Sequence, residues 1–160
     1  MKPNIKVVNL KEFNAALRGL QSAARGDVVK KAALAGGAVV QAYARINAEA
    51  QFRGSPTGTL KESIAVEVEK SGPNSAWVNI GPTVIYGRIQ ELGGWIKPIH
   101  AKVLSWINEQ GERVFAKKVY IPPRPYLRPA LDEHMSEIEE AVGETLKSAI
   151  INAVKMGGSK

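Results

Sequence analysis

The chain of 160 residues contains no cysteine, and it has only two histidines and two aspartates. Without cysteine there can be no disulfide bonds, thiolate metal sites, iron–sulfur clusters or cysteine nucleophiles, and the absence fits synthesis in a reducing cytoplasm. So few histidines and aspartates leave little material for a metal centre or a catalytic triad. The sequence therefore argues against most metal-dependent and triad-dependent enzymes.

Long apolar runs and phosphate-binding loops are also missing. No segment approaches the ~20 consecutive apolar residues of a membrane span, and the first residues do not resemble a signal peptide. Neither a GxGxxG nor a GxxxxGK[ST] motif occurs. We therefore expect no enzymatic activity, no cofactor, no metal ion and no contact with a membrane.

Positive charge is in excess and unevenly distributed. The 22 Lys and Arg against 15 Asp and Glu give a net charge of +7, with basic residues dominating positions 1–50 and six acidic residues but no Lys or Arg at positions 132–144. The separation suits contacts between copies of the chain, an anionic partner, or simply two solvated helix faces. The basic candidates for facing DNA or a neighbouring subunit are Arg18, Arg25, Lys30, Lys31, Arg45 and Arg53.

The first third of the chain is predicted to be helical after an N-terminal arm or edge strand over residues 1–9. Apolar residues spaced by three and four predict a helix from Leu10 and another over 28–50, with Asp27 as N-cap. The Gly36–Gly37 pair lies inside the second helix, where each glycine costs ~1 kcal/mol relative to alanine. We expect a close backbone crossing or a bend there.

Beyond residue 56 the pattern predicts a small sheet followed by one long helix. From Tyr126 the apolar spacing indicates a single amphipathic helix of about 29 residues, ~40 Å long, with Pro129 in its first turn. The result is an α+β fold in one domain over 1–160, with a small antiparallel sheet packed by long helices and a flexible tail over 156–160. The other predicted elements are a hairpin with strands over 64–68 and 77–80, short helices over 86–92 and 101–110, and a strand over 113–121.

Two loop segments have less common compositions. Thr59 and Glu62 can form a capping box over one helical turn, although the same residues also suit a plain start to the strand that follows. Residues 122–129 include four prolines and place Arg124 and Arg128 on either side of an aromatic ring. Prolines fix an extended segment that loses little entropy on binding, so this segment is either a docking site or a stiff linker.

Three motifs occur in order along the chain: Thr57-Gly58-x-Leu60-x-x-Ser63-Ile64, Tyr86-Gly87-x-x-x-Glu91-x-Gly93 and Arg124-Pro125-Tyr126-Leu127-Arg128-Pro129-Ala130-Leu131. Together they resemble the tail-completion, or head–tail joining, proteins of long-tailed bacteriophages, which include minor tail protein Z-like neck proteins. Parts of 101–125 also resemble the related Mu-type virion morphogenesis proteins. The resemblance covers about residues 28–145 and departs at Gly93-Gly94-Trp95, where many relatives have a shorter loop.

The resemblance implies a structural protein of the virion, made in the host bacterial cytoplasm, that completes the tail and joins it to the head. It implies a homo-oligomeric ring at the neck, expected to be hexameric, next to a head-completion (stopper) protein and a tail terminator or tail-tube protein. DNA would pass through without sequence readout. The residues expected at subunit or partner interfaces are Thr57, Gly58, Leu60, Tyr86, Glu91, Trp95, Arg124, Tyr126 and Arg128.

The basic residues leave a second function open, that of a nucleic-acid-binding protein acting in solution. Its affinity for DNA would fall steeply with salt. Against it, the aromatic residues Trp77, Trp95, Trp106 and Tyr86 do not alternate with basic ones as a base-stacking platform requires. We therefore favour contact between the basic half of one subunit and the acidic helix of the next.

Overall fold

The computed structural model describes residues 22–52, 58–108 and 110–157. Its strands pair as three separate two-stranded antiparallel sheets, β1–β2, β3–β6 and β4–β5. The α+β class is therefore confirmed, with the strands distributed over three small sheets. The elements in chain order are α1 (Ser22–Gln51), α2 (Thr59–Ser63), β1 (Ile64–Ser71), β2 (Ala76–Pro82), α3 (Gly87–Leu92), β3 (Gly94–Ile96), β4 (Leu104–Ile107), β5 (Arg113–Ala116), β6 (Val119–Ile121), α4 (Leu127–Asp132) and α5 (Met135–Gly157).

Two compact units make up the chain. The described residues of the first unit fall within 22–40, 66–80 and 134–157, and those of the second within 41–65 and 81–133. Helix α1 and the β1–β2 hairpin contribute residues to both units. The single domain expected over 1–160 stays a prediction.

Helix α1 buries a stripe of small residues at intervals of four. Because small side chains let another element come close to a helix axis, this stripe permits tight packing along the helix. The stripe consists of Ala32, Gly36, Val40, Ala44 and Ala48.

The Gly36–Gly37 pair lies at close packing contacts within the first unit. A Cβ on Gly36 would come within 2.8 Å of Cγ2 of Val142 and 3.3 Å of Cγ2 of Ile138, both on α5. A Cβ on Gly37 would come within 2.7 Å of Cγ1 of Val66 on β1. The expected close approach at these glycines is confirmed, since no larger residue fits without displacing a β-branched neighbour.

The second unit has its own small core. Burying apolar side chains is the main source of its stability, at about 25 cal/mol per Å² removed from water. Its fully or nearly fully buried apolar residues are Ala44, Ala48, Leu60, Ile64, Tyr126 and Ala130.

The short helix predicted over 101–110 is wrong, because residues 104–107 form strand β4, which pairs with β5 in a hairpin. The side-chain oxygen of Asn108 accepts the backbone N–H groups of Gln110 and Glu112 at 3.1 and 2.8 Å, and Gly111 has φ +81°. These features define a tight turn, so the apolar residues before it pair across the hairpin instead of lining a helix. The predicted strand over 113–121 is likewise divided, into β5 and β6.

The long C-terminal helix is confirmed as α5, but its predicted start at Tyr126 is wrong, since the chain forms α4 and α5 with a break at Glu133 and His134. Nδ1 of His134 lies 3.2 Å from Oε1 of Glu137, and the His134 carbonyl accepts the N–H of Ile138. These contacts start a new helix after the break. The spacing of apolar residues did not predict this break, because neither Glu133 nor His134 is one of the apolar residues.

Two predicted caps are wrong as well. Asp27 does not cap a helix, because α1 already includes the residues from Ser22 onward. The predicted turn at Thr59 exists as α2, but Gly58 precedes it with φ +58° and no side chain caps it. The predictions for the arm over 1–9, the helix from Leu10, Thr57, Arg18, Arg53 and residues 158–160 lie outside the described residues.

Replacing Gly36 with alanine should destabilise the protein. We expect Gly36→Ala to lower the free energy of unfolding by about 1–3 kcal/mol, because the new methyl group overlaps Val142. Gly143→Ala is the matched control, since a Cβ there meets nothing within 4 Å and should stabilise the helix by about 0.5–1 kcal/mol. Urea unfolding measures both, and equal effects would show that the close approach at Gly36 does not exist.

Candidate partner-binding site

A single carboxylate joins the second and third motifs. Oε2 of Glu91 on α3 accepts the backbone N–H groups of Tyr126 and Leu127 at 2.7 and 2.9 Å, and its Oε1 accepts that of Arg128 at 3.0 Å. These donors lie at the start of α4, where helix geometry provides no partner and where the residue at the N-cap supplies no side-chain bond. Glu91 therefore caps a helix distant in sequence, through charge-assisted hydrogen bonds.

Tyr126 lies beneath this cap and is fully buried. Its O–H donates to the carbonyl of Gly87 at 3.2 Å, and its ring packs edge-on against Phe52 at 6.4 Å between centroids. Burial, with the negative charge of Glu91 as the smaller cause, raises the pKa of Tyr126 to about 12. The phenol therefore stays protonated and serves as a donor.

The glycines of the second motif, Gly87 and Gly93, let the proline-rich segment and Tyr126 pack closely against α3. A Cβ on Gly87 would overlap the ring of Pro82 and come within 3.2 Å of the Tyr126 hydroxyl. Gly93 has φ +67°, and a Cβ there would come within 2.7 Å of the nitrogen of Pro123. The N–H of Arg124 donates to the carbonyl of Gln90 at 2.7 Å, so the proline-rich segment lies directly against α3.

The C-terminal half of α1 holds the first and third motifs through side-chain amides and a guanidinium. Asn47 and Gln51 donate to the carbonyls of Tyr126 and Pro125 at 3.2 and 2.8 Å. Gln41 and Arg45 donate to the carbonyl of Ile64 at 2.6 and 2.9 Å. Sequence reasoning missed these contacts, because ordinary polar residues on a helix carry no signal of the distant carbonyls that they bind.

The predicted interface residues fall into two groups. Those that hold the second unit together are Gly58, Leu60, Glu91 and Tyr126, and those whose side chains are exposed are Tyr86, Trp95, Arg124 and Arg128. Thr57 lies outside the described residues. A role in partner binding stays a prediction for every member of the set.

Arg124 and Arg128 project from a segment whose backbone is fixed. Their N–H groups are bound by Gln90 and Glu91, while both side chains are exposed. The guanidinium of Arg124 lies 5.6 Å from the ring centroid of Phe52, within the range of a cation–π contact. Two cationic groups are thus presented by a segment that need not become ordered on binding.

The basic candidates within the first 50 residues differ in how far their side chains are exposed to solvent. Arg45 is half-buried and bonds to Ile64, and the half-buried Arg25 lies 3.4 Å from the side-chain oxygen of Asn74. Lys30 and Lys31 are exposed on α1. Only these two lysines, of the four candidates within the described ranges, are exposed enough to meet an anionic surface directly.

A further surface feature comes from strand pairing. The β3–β6 register places Trp95 opposite Tyr120, with ring centroids 5.3 Å apart, and Nζ of Lys118 lies 4.4 Å from the Trp95 ring centroid. Tyr120 and Lys118 lie more than 20 residues after Trp95, on and directly before β6, so the sequence of the motif around Trp95 does not indicate them. Basic and aromatic residues are thus adjacent in space although they do not alternate along the chain.

Among the residues that the structure describes, no group of three or more His, Asp or Glu side chains could hold a metal ion. In the same ranges, no helix combines the length and apolar character needed to cross a bilayer.

Comparison with known families identifies the chain. A family model described as "Bacteriophage HK97-gp10, putative tail-component" matches residues 11–93, just over half of the chain. The chain belongs to this HK97-gp10-like family. The matched range includes the first two motifs, in agreement with the resemblance to phage tail-completion proteins. No curated protein and no solved structure shows significant similarity to the chain.

As a member of the HK97-gp10-like family, the protein is a structural component of a bacteriophage tail, and it belongs in the virion. Its assembly therefore involves other virion proteins. The third motif follows the matched range, yet Glu91 from within that range holds it in place.

Removing the Glu91 carboxylate should weaken the second unit. We expect Glu91→Ala to lower the free energy of unfolding by about 3 kcal/mol, because three backbone N–H groups lose a charged acceptor. Glu67→Ala is the control, since Glu67 is exposed on β1. Chemical unfolding measures both variants, and an effect of Glu91→Ala below 1 kcal/mol would contradict the cap.

The buried phenol should make stability depend on pH at the alkaline end. Since Tyr126 has a pKa of about 12 when folded and an ordinary value of 10.0, its contribution is complete below about pH 10 and is lost as pH rises towards 12. The stability difference between wild type and Tyr126→Phe should therefore shrink over that window. Unfolding curves and near-ultraviolet phenolate titration test this, and a Tyr126 midpoint near 10 would contradict it.

Proposed function

We propose that this tail component is a subunit of the tail-completion ring at the phage neck, where it joins the tail to the head. The observation that carries the proposal is the proline–arginine segment, residues 122–129, held by Glu91 and Gln90 with both arginine side chains exposed. A fixed backbone and exposed cationic side chains are what a docking element needs, because affinity is not spent on ordering it.

Exposed apolar residues of the second unit support a role in assembly. Ile107 and Phe115 lie on one face of the β4–β5 hairpin, and both are more than half exposed. A two-stranded hairpin is marginally stable without something covering a face. Exposed aromatic and aliphatic residues next to arginines are typical of protein interfaces, so this unit is suited to contact with neighbouring virion proteins.

The proposed neighbours follow from the resemblance to tail-completion proteins. They are further copies of the chain in a ring, expected to be a hexamer, a head-completion (stopper) protein, and a tail terminator or tail-tube protein. DNA would pass through the ring without sequence readout, with Lys30 and Lys31 as the exposed candidates to face its phosphates.

The docking role predicts a variant that folds but does not assemble. We expect Arg124→Ala combined with Arg128→Ala to lower plaque counts at least 100-fold in complementation of a phage that lacks this gene. The thermal unfolding midpoint should stay within about 2 °C of wild type, because the backbone bonds of both residues remain and only the cation–π contact of Arg124 with Phe52 is lost.

Lys70→Ala combined with Arg88→Ala is the matched control, since it removes two exposed positive charges outside the segment. This control should give wild-type plaque counts. Wild-type counts with the arginine double variant would refute docking through the segment. If both pairs instead reduced salt-dependent DNA binding by the purified protein, the solution nucleic-acid-binding function would be favoured.

A further inference from the structure

The β3–β6 sheet presents a basic–aromatic ribbon, defined here as Trp95, Lys97, Lys118 and Tyr120. The two rings face each other across the strands and remain 57% and 52% exposed. Lys118 lies over the Trp95 ring, and Lys97, directly after β3, is exposed as well. More than half of the surface of these two large side chains is therefore in contact with water. Exposing so much apolar ring surface is unfavourable, which indicates that a partner covers it.

The ribbon has the composition of a protein-binding surface. Tryptophan and tyrosine supply most of the binding energy at many interfaces, and a lysine packed on an aromatic face keeps its charge available at the rim. Lys118 lies over the Trp95 ring and Lys97 follows Trp95 by two residues, and neither has an acidic partner among the described ion pairs. The surface therefore calls for an anionic partner with some apolar area.

Helix α5 carries a complementary acidic stripe, defined here as Glu137, Glu140 and Glu144, which are three and four residues apart on one face of the helix. All three are exposed, and like charges at Glu140 and Glu144 repel each other. Glu137 pairs with His134 and Glu144 with Lys147, both at the surface. Neighbouring cations from another chain would relieve this repulsion.

We propose that the basic–aromatic ribbon of one copy docks on the acidic stripe of the next copy. This contact rests on the proposed function and identifies surfaces through which copies would meet. Because ribbon and stripe are different surfaces, the contact is heterologous, and repetition of a heterologous contact produces a ring when the rotation closes. Opposite charges across it select the head-to-tail orientation and reject head-to-head pairing.

Charge complementarity favours a second copy over DNA as the occupant of the ribbon. A nucleic acid could stack on the same rings and bind the same lysines. It would leave the acidic stripe without a role, whereas a second copy accounts for both surfaces at once.

Because the chain has no cysteine, engineered thiols can test the contact in the virion. Lys97→Cys and Glu140→Cys are made as separate single variants and supplied together in place of the wild-type protein. Purified particles are then treated with a short bismaleimide. Since each chain carries one thiol, any cross-linked dimer joins two copies, and mass spectrometry identifies the joined peptides.

The contact predicts that the Lys97→Cys and Glu140→Cys mixture gives at least tenfold more cross-linked dimer than either variant supplied by itself. The matched mixture of Lys30→Cys and Glu140→Cys should stay at background. Particles that contain the chain without the first cross-link would overturn the ribbon contact and leave the neck function standing. A Lys30 cross-link instead would assign the stripe's partner to α1, and absence of the chain from particles would overturn both proposals.

Charge reversal gives a second readout that does not depend on cross-linking geometry. Lys97→Glu with Lys118→Glu, and Glu140→Lys with Glu144→Lys, should each lower plaque counts at least 100-fold, while the four changes together should restore them at least tenfold. Failure of the combination to restore plaques would overturn the contact. If only the variant with Lys97→Glu and Lys118→Glu lost salt-dependent DNA binding, the ribbon would be a DNA-binding surface instead.

Discussion

The second unit depends on one carboxylate that accepts three consecutive backbone amides. Glu91 on α3 binds the start of α4, and Tyr126 bonds back to Gly87 at the beginning of α3. The side chains of Asn47 and Gln51 on α1 also hold this segment, through hydrogen bonds to its backbone carbonyls. Because backbone amides that lose a charged acceptor weaken the fold, loss of this carboxylate would loosen the proline–arginine segment that the unit presents.

The arrangement separates residues that build the unit from residues whose charged groups are exposed at its surface. Glu91 and Tyr126 have their polar groups engaged internally, whereas Arg124 and Arg128 use their backbones for the fold and leave their side chains exposed. In a phage tail component this division is useful, since a docking segment that is already ordered pays little entropy when subunits assemble. The first unit contributes the exposed acids of α5, and the second unit contributes the exposed arginines of the proline–arginine segment.

Features with a local cause were predictable from the sequence. The hairpin of β1 and β2 follows from alternation, and the short helix before Gly93 from its stop signal. The close approach at Gly36 was predictable because glycine inside a helix needs a packing reason. The helix predicted over 101–110 failed because Asn108 organises a turn through two side-chain bonds that apolar spacing does not register.

Features that depend on residues far apart in sequence were not predictable. The sequence pointed to Glu91 and Tyr126 as members of motifs, but not to the bonds that join them, since three amides and one carboxylate have no spacing rule. In the same way, the Trp95–Tyr120 pair requires the β3–β6 register to be known. The most direct test of the account is backbone amide hydrogen exchange at residues 126–128, compared between wild type and Glu91→Gln. We predict protected amides in the wild type and at least tenfold faster exchange at these three positions in the variant, whereas equal exchange in the two proteins would contradict the account.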